Sequence, residues 1–375
     1  MGDHGPLRTS LRMTLARFWR PVSLEQLLQE RCSGLSDVRL LLAVLVVFSH
    51  SWPLLLGPEA EVSLGPLQPG AMAVRAFMVL SGLLVARSAR RHPPLSFLRR
   101  RLLRLYPGVL VAQLVTVLLM LPLFAWAVRV PYLPSLGGDR GGLRYLLANL
   151  SLLVKQSALL PFTDLFPYRG AFNGSLWTLW PEACGYVLLL LFVGLLALPG
   201  RAWLLTLAVL FVATAVPAVL GLLSLVAPPF LLVDGLTIWL GVYLVAGVLL
   251  ARWAPRIPLA PLPGLLAGLI LLLLALWGGF PRVLFEAISL LLGPYGLLCL
   301  ARALAGLGRL PGDFSYGVYV YAFPCQQMLA ALLGKHLQPW SFFGLSLLLV
   351  LPLGAASWFW VERPALAWAR RLDQR

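Results

Sequence analysis

The stretch Arg39-LLLAVLVVFS-His50 opens the first long apolar run of the chain, which continues through Ser51-WPLL-Leu56, and its reading decides the fold. On an α-helix, eleven positions turn through about 1,100°, roughly 20° beyond three full turns, and rise about 16 Å. Arg39 and His50 therefore share one face. The run as a whole matches the roughly 20 mostly apolar residues that a helix needs to cross a bilayer. A cation near the edge of that layer and an imidazole about halfway into it are costly there, an arrangement that marks a site. The plainer alternative is a juxtamembrane arginine and a hydrogen-bonded core histidine that happen to align.

Composition extends this reading to the whole chain. Hydrophobic residues make up 60% of the 375 residues, only 12% are charged, and the mean hydropathy is +0.86. These values exclude a soluble globular protein and define an all-α polytopic membrane protein. A net charge of +16 would suggest nucleic acid in a soluble chain. Here basic cytoplasmic loops and anionic headgroups explain it, so membrane lipids are expected partners and nucleic acid is not. Cys32, Cys184, Cys299 and Cys325 are scattered without C-x-x-C spacing, which indicates no zinc site, no other metal and no disulfide framework. The amino terminus is basic and polar and lacks a signal peptide's short apolar core. Residues 1–36 read as a retained cytoplasmic segment with an amphipathic surface helix.

Apolar runs separated by Gly, Pro or charge give about ten transmembrane helices, at 38–56, 71–89, 103–124, 182–198, 202–223, 230–250, 262–279, 283–304, 314–333 and 341–361. With a cytoplasmic amino terminus, 22 of the 30 Lys and Arg fall on the cytoplasmic side: six through Arg39, seven from Arg87 to Arg104, five at Arg201, Arg252, Arg256, Arg302 and Arg309, and four from Arg363 onward. Both termini are then cytoplasmic. Between the third and fourth spans, residues 125–181 carry Pro131, Pro134, four glycines from Gly137 to Gly142, Pro161 and Pro167. Such a broken run suits a partly embedded loop, with a helical portion in Leu143–Leu160, better than another full span. The transmembrane domain is expected over 37–364, with a short tail at 365–375.

Two further groups of residues bear chemistry. Arg99, Arg100, Arg101 and Arg104 stand where the third span enters the membrane, at spacings that bring their guanidinium groups together, which suits a multiply charged phosphate ligand. Positive-inside bias accounts for Arg87, Arg90 and Arg91. The segment Asn173-Gly-Ser-Leu-Trp-Thr-Leu-Trp-Pro-Glu182 lies at the non-cytoplasmic start of the fourth span. It offers Asn173, Ser175 and Thr178 as hydrogen-bonding groups, and the indoles of Trp177 and Trp180 for stacking on a sugar or for interfacial anchoring. Glu182 enters the membrane, where a carboxylate needs a partner or a wet pocket. Ser81 and Gly82 read as packing residues. Tyr316 and Tyr319 stand three apart on one helix, with aromatic packing or a binding wall as the two readings. Glu362 and Arg363 are expected to pair; Asp234 and Glu286 have no partner legible in the sequence.

These residues resemble the membrane-bound acyltransferase family 3, which O-acylates cell-surface glycans. The resemblance rests on Arg39-x10-His50, on Phe77-Met-Val-Leu-Ser-Gly-Leu-Leu, on Phe97-Leu-Arg-Arg-Arg-Leu-Leu-Arg-Leu-Tyr-Pro107 and on Asn173 to Glu182. It continues in Phe314-Ser-Tyr-Gly-Val-Tyr-Val-Tyr-Ala-Phe-Pro324 and Glu362-Arg-Pro364. The chain departs from the family at Ala322, where many members have His, and at Trp180-Pro181, where many have Pro followed by an aromatic. The resemblance implies an acyl group, usually acetyl from cytoplasmic acetyl-CoA, delivered to a hydroxyl of a carbohydrate or glycolipid across a bacterial inner membrane. In that scheme Arg39, Arg99, Arg100, Arg101 and Arg104 hold the donor's phosphates, and His50 is the general base, an acyl-histidine intermediate being the alternative. Glu182 orients His50 if the first and fourth spans pack together, while Asn173, Ser175, Trp177, Thr178 and Tyr319 meet the acceptor. A secondary transporter or flippase shares the intramembrane His, the carboxylate and the broken segment. Against it stand the absence of an internal repeat and the pairing of the arginine cluster with Arg39-x10-His50.

Overall fold

The computed structural model describes residues 21–29, 34–196, 235–305 and 310–374. Within them, helices stand at nine of the expected spans: α2 (Leu35–Leu56), α3 (Pro69–Ala89), α4 (Pro94–Val115) running on through a π turn into α5 (Leu121–Val128), α8 (Leu179–Leu196), α9 (Gly235–Trp253), α10 (Pro261–Leu276), α11 (Arg282–Leu304), α12 (Ser315–Leu333) and α13 (Pro339–Ser357). The span expected at 202–223 lies outside the described residues, as does Asp234. Among the described residues, five helical stretches are long and apolar enough to cross a membrane: α2, α3, α4 through α5, α11, and α13 through the closing α14 (Arg363–Leu372). The short elements are a two-residue strand β1 (Val22–Ser23), α1 (Leu24–Gln29), α6 (Tyr132–Leu136), α7 (Gly142–Ala148) and β2 (Pro258–Leu259).

Burial shows which helix lies at the centre. In α12, 15 of 19 residues are buried, on every face, as expected of a helix enclosed by others. It packs on both α2 and α13, which also touch each other; α3 packs on α2 and carries α9 and α8 in turn. The contact of α3 with α9 depends on two glycines. A Cβ on Gly82 would stand 2.0 Å from the Leu244 carbonyl oxygen, and one on Gly247 would stand 2.1 Å from that of Val79. Small residues let two backbones approach this closely in a membrane bundle. α10 sits at the periphery beside α11, with Leu265, Leu269 and Leu272 exposed.

Two expectations about connecting segments change. The stretch Leu143–Leu160 is helical only to Ala148, because the Asn149 side chain captures nearby backbone instead: Oδ1 accepts from Lys155 N at 3.0 Å and Gln156 N at 3.2 Å, and Nδ2 donates to Gln156 O at 2.8 Å. The rest of this connection folds onto the end of α5, where Phe162 and Phe166 pack on Phe124 and Phe172 packs on Phe166. At the amino end, α1 docks into the body with Leu24 and Leu27 fully buried, and β1 pairs antiparallel with β2. The described part of residues 1–36 is therefore packed against the body, and the rest of that expected segment lies outside the described residues.

Candidate active site

α2 and α12 run side by side in the same direction. Near their starts Arg39 Nη1 donates to Asp313 Oδ2 at 2.7 Å, and farther along Gln326 Nε2 donates to the Val47 carbonyl at 3.0 Å and to Ser51 Oγ at 3.1 Å. His50 faces Phe323 of α12 with ring centroids 5.2 Å apart and the planes at 78°. The site thus has two levels on one pair of helices, separated by the Arg39-to-His50 rise of about 16 Å. His50 Nδ1 is buried and has no hydrogen-bond partner among the described residues. Gly174 lets the Phe323 ring come close beside it, since a Cβ there would stand 2.5 Å from Cε2 of that ring.

At the lower level Asp313 joins two cations that the sequence left unconnected. Arg104 Nη2 donates to Asp313 Oδ2 at 2.6 Å, the oxygen that also receives Arg39. Burial by itself would raise the Asp313 carboxyl; Arg39, Arg104 and the Ser315 hydrogen bonds outweigh it and hold the group at about 2. Arg104 also reaches Glu362 Oε2 at 3.4 Å, while Ser357 Oγ donates to Glu362 Oε1 at 3.0 Å. Glu362 is therefore paired with Arg104, not with its neighbour Arg363. The cause is local: Trp358–Glu362 form a π turn, which rotates Glu362 inward toward α4.

The arginine cluster divides instead of converging. Arg99 and Arg100 both bind Asp373, just beyond α14, which also accepts from Ser96 Oγ at 2.7 Å. Ser96, followed by Arg99 and Arg100, holds the Asp373 carboxyl at about 2. Arg101 turns the other way, over the Phe97 and Tyr186 rings at 5.8 Å each, and its Nε is buried without a partner.

Glu182 is the main positional correction. Its Oε1 accepts from Ser81 Oγ at 2.7 Å and from Tyr186 OH at 2.6 Å. α3 packs against both α2 and α8, whereas α2 and α8 do not pack closely on each other. The condition for Glu182 to orient His50, direct packing of the first and fourth spans, is not met. Glu182 instead lines a cleft of about 490 Å³, open mouth included, together with Arg39, Ser81, Thr178, Ser315 and Tyr319. It belongs to the Arg39 level and not to the far end of the helices. Residues 173–178 explain this, because they turn inward against the middle of α12: Asn173 Nδ2 donates to the Val320 carbonyl at 3.0 Å, and Thr178 Oγ1 shares a 2.8 Å hydrogen bond with Tyr319 OH. Asn173 Oδ1 accepts from Ser175 N at 3.1 Å, which caps the turn, so both ends of its amide are occupied. Ser175 is buried with its hydroxyl unpartnered, and Trp177 is exposed.

Sequence reasoning missed Asp313 as the bridge, and it left Arg75 without a role. Arg75 lies in the second apolar run and pairs with buried Glu286, Nη2 to Oε1 at 2.8 Å and Nη1 to Oε2 at 2.6 Å. An arginine inside a spanning segment is itself a signal that a site lies there.

The Acyltransferase domain family matches residues 35–359, which takes in every element of the two levels except Asp373 and Glu362. The chain belongs to this family, acyltransferase family 3, and is an integral-membrane acyltransferase. It is similar to a protein of Shigella phage Sf6 named "O-acetyl transferase", at 26% identity over 336 residues, 87% of this chain and 93% of the relative. No solved structure matches the chain.

Proposed function

We propose that the chain is an O-acetyltransferase that takes acetyl from cytoplasmic acetyl-CoA and places it on a hydroxyl of an extracytoplasmic carbohydrate or glycolipid, with His50 as general base. The observation that carries this is His50 itself: a half-buried imidazole whose Nδ1 is buried and unpartnered, about 16 Å beyond a cationic node on the same helix face. That separation is the one a thin pantetheine arm has to cover. The phage relative's name supports acetyl as the group and oxygen as its destination.

In this reading the acceptor oxygen attacks the thioester carbonyl carbon while His50 takes the hydroxyl proton. The C–S bond then breaks, and the proton passes to the departing CoA sulfur. Arg39 and Arg104 at the node, with Arg99, Arg100 and Arg101 beside it, serve the donor's phosphates, for which Asp313 and Asp373 stand in when no donor is bound. Glu182, Thr178 and Tyr319 line the path of the donor arm. Asn173 and Ser175 position the turn, and Trp177 offers the acceptor a stacking face.

The test is release of free CoA thiol by the purified protein in nanodiscs, given acetyl-CoA and a de-O-acetylated surface glycan. Wild type should release thiol in step with glycan acetylation, and His50→Ala should lose at least about 10²-fold of the rate while still reaching the membrane. Normal rates in His50→Ala would overturn the assignment. Movement of the glycan across a vesicle without thiol release would mark a transporter.

A further inference from the structure

A second cavity lies on the opposite face of α3 from the Glu182 cleft, enclosed by α2, α3, α10 and α11. It holds about 900 Å³, open mouth included, and its walls are mainly hydrocarbon, among them Leu42, Val79, Leu271 and Leu297. The space comes from missing side chains: Gly268 and Gly293 line it, and a Cβ on either would meet nothing within 4 Å. Pro294, next to Gly293, also removes an α-helical hydrogen bond from α11 at this height. On α11 the lining runs from Ser289 to Leu300, about 16 Å along the axis. The groove is therefore long as well as apolar.

One end of the groove is polar. Arg75 lines it, whereas Glu286, which holds Arg75 in place, does not. The Trp239 and Tyr243 rings flank the guanidinium at 5.6 and 5.7 Å. Of the five N–H donors on a guanidinium, the two-point pair with Glu286 uses two and Nη1 gives a third to the Met72 sulfur at 3.7 Å, so two remain for an acceptor oxygen in the groove. Arg75 is six residues from the start of α3, and Glu286 is four from the start of α11. Those starts lie on one side of the molecule, the side away from Asp373. The mouth opens at exposed Gly268, flanked on α10 by the exposed Leu265, Leu269 and Leu272. Such a surface faces lipid tails, and an apolar void of this size with a mouth in hydrocarbon fills with the most abundant apolar species there.

We infer that this groove is a lipid site: it takes one hydrocarbon chain of a membrane phospholipid, with an ester or phosphate oxygen of that lipid accepting from Arg75. Neither the donor path nor His50 is part of it, so it stands or falls separately from the acetyl-transfer reading. The test reconstitutes the full chain in vesicles of phosphatidylethanolamine and phosphatidylglycerol that include a phosphatidylglycerol with a diazirine in its acyl chain. After irradiation, labelled residues are mapped by mass spectrometry. Adducts are expected on groove residues of α10 and α11, and the double variant Gly268→Leu/Gly293→Leu should cut them at least fivefold while labelling at outward-facing Leu291 is unchanged. Adducts confined to outward-facing residues, or groove adducts that survive the double variant, would overturn the site. Should the double variant fail to fold, Gly268→Leu alone, checked by its melting temperature, answers the same question. A lipid carrier of the acceptor, added as competitor, separates the two sources of such a chain. Displacement of the probe by phosphatidylglycerol but not by the carrier is the result expected, and displacement by the carrier alone would overturn the phospholipid assignment.

Discussion

Asp313 takes two of the arginines that the sequence singled out and makes one node of them. Its carboxyl lies at about 2, below the ordinary carboxylate value near 3.9. A depressed folded-state value contributes stability that is present above the unfolded value and is lost as pH falls through the folded one. From pH 7 down to pH 5, melting temperature should therefore show no loss traceable to Asp313. Asp313→Asn removes the charge at every pH and leaves Arg39 and Arg104 facing each other, so a destabilisation of about 3 kcal/mol at pH 7 is expected from thermal melts. Glu182 lines the cleft at the Arg39 level, and if the donor arm runs there as proposed, Glu182→Gln should raise the KM for acetyl-CoA several-fold with little change in the KM for the glycan. A shift confined to the glycan KM would return Glu182 to the acceptor side. Neither Asp313 nor the true partner of Glu362 was legible beforehand, because the bonds close over separations of 274, 209 and 258 residues that periodicity cannot see. His50 and Arg39 stood out as polar side chains in a long apolar run, visible without any partner, and Arg104 stood out only as part of the basic cluster at 99–104.

At the level of elements, apolar runs marked most helices to within a few residues, and the errors fall where side chains override hydropathy. Asn149 ends α7 early by taking backbone hydrogen bonds, and the π turn at Trp358–Glu362 redirects a carboxylate with no change in composition. What the start of α8 packs against was not legible for a similar reason. Hydropathy locates a helix along the chain but not across the membrane, and the Asn173 cap and the Thr178–Tyr319 bond draw its entry inward. Packing of α3 on α9 gives a sharp test. Gly82→Val puts side-chain atoms where the Leu244 carbonyl lies, so a loss of about 1–3 kcal/mol or more is expected from chemical denaturation in detergent, with Gly247→Val behaving alike. Unchanged stability in both variants would show that the two backbones are farther apart than described.

For the molecule as a whole, Asp373, just beyond α14, and the entry of α4 at Ser96, Arg99 and Arg100 lie on one side, and Arg39 and Asp313 lie toward that same side. His50 and the outer turns of α2 and α12 lie toward the other. The central claim is that donor and acceptor reach His50 from opposite faces. Its most direct measurement uses proteoliposomes of fixed orientation, with radiolabelled acetyl-CoA confined to one side and the de-O-acetylated glycan to the other. Label should reach the glycan only when acetyl-CoA is on the Asp373 side, and His50→Ala should transfer none. Transfer with donor and glycan both confined to the side away from Asp373 would contradict the account.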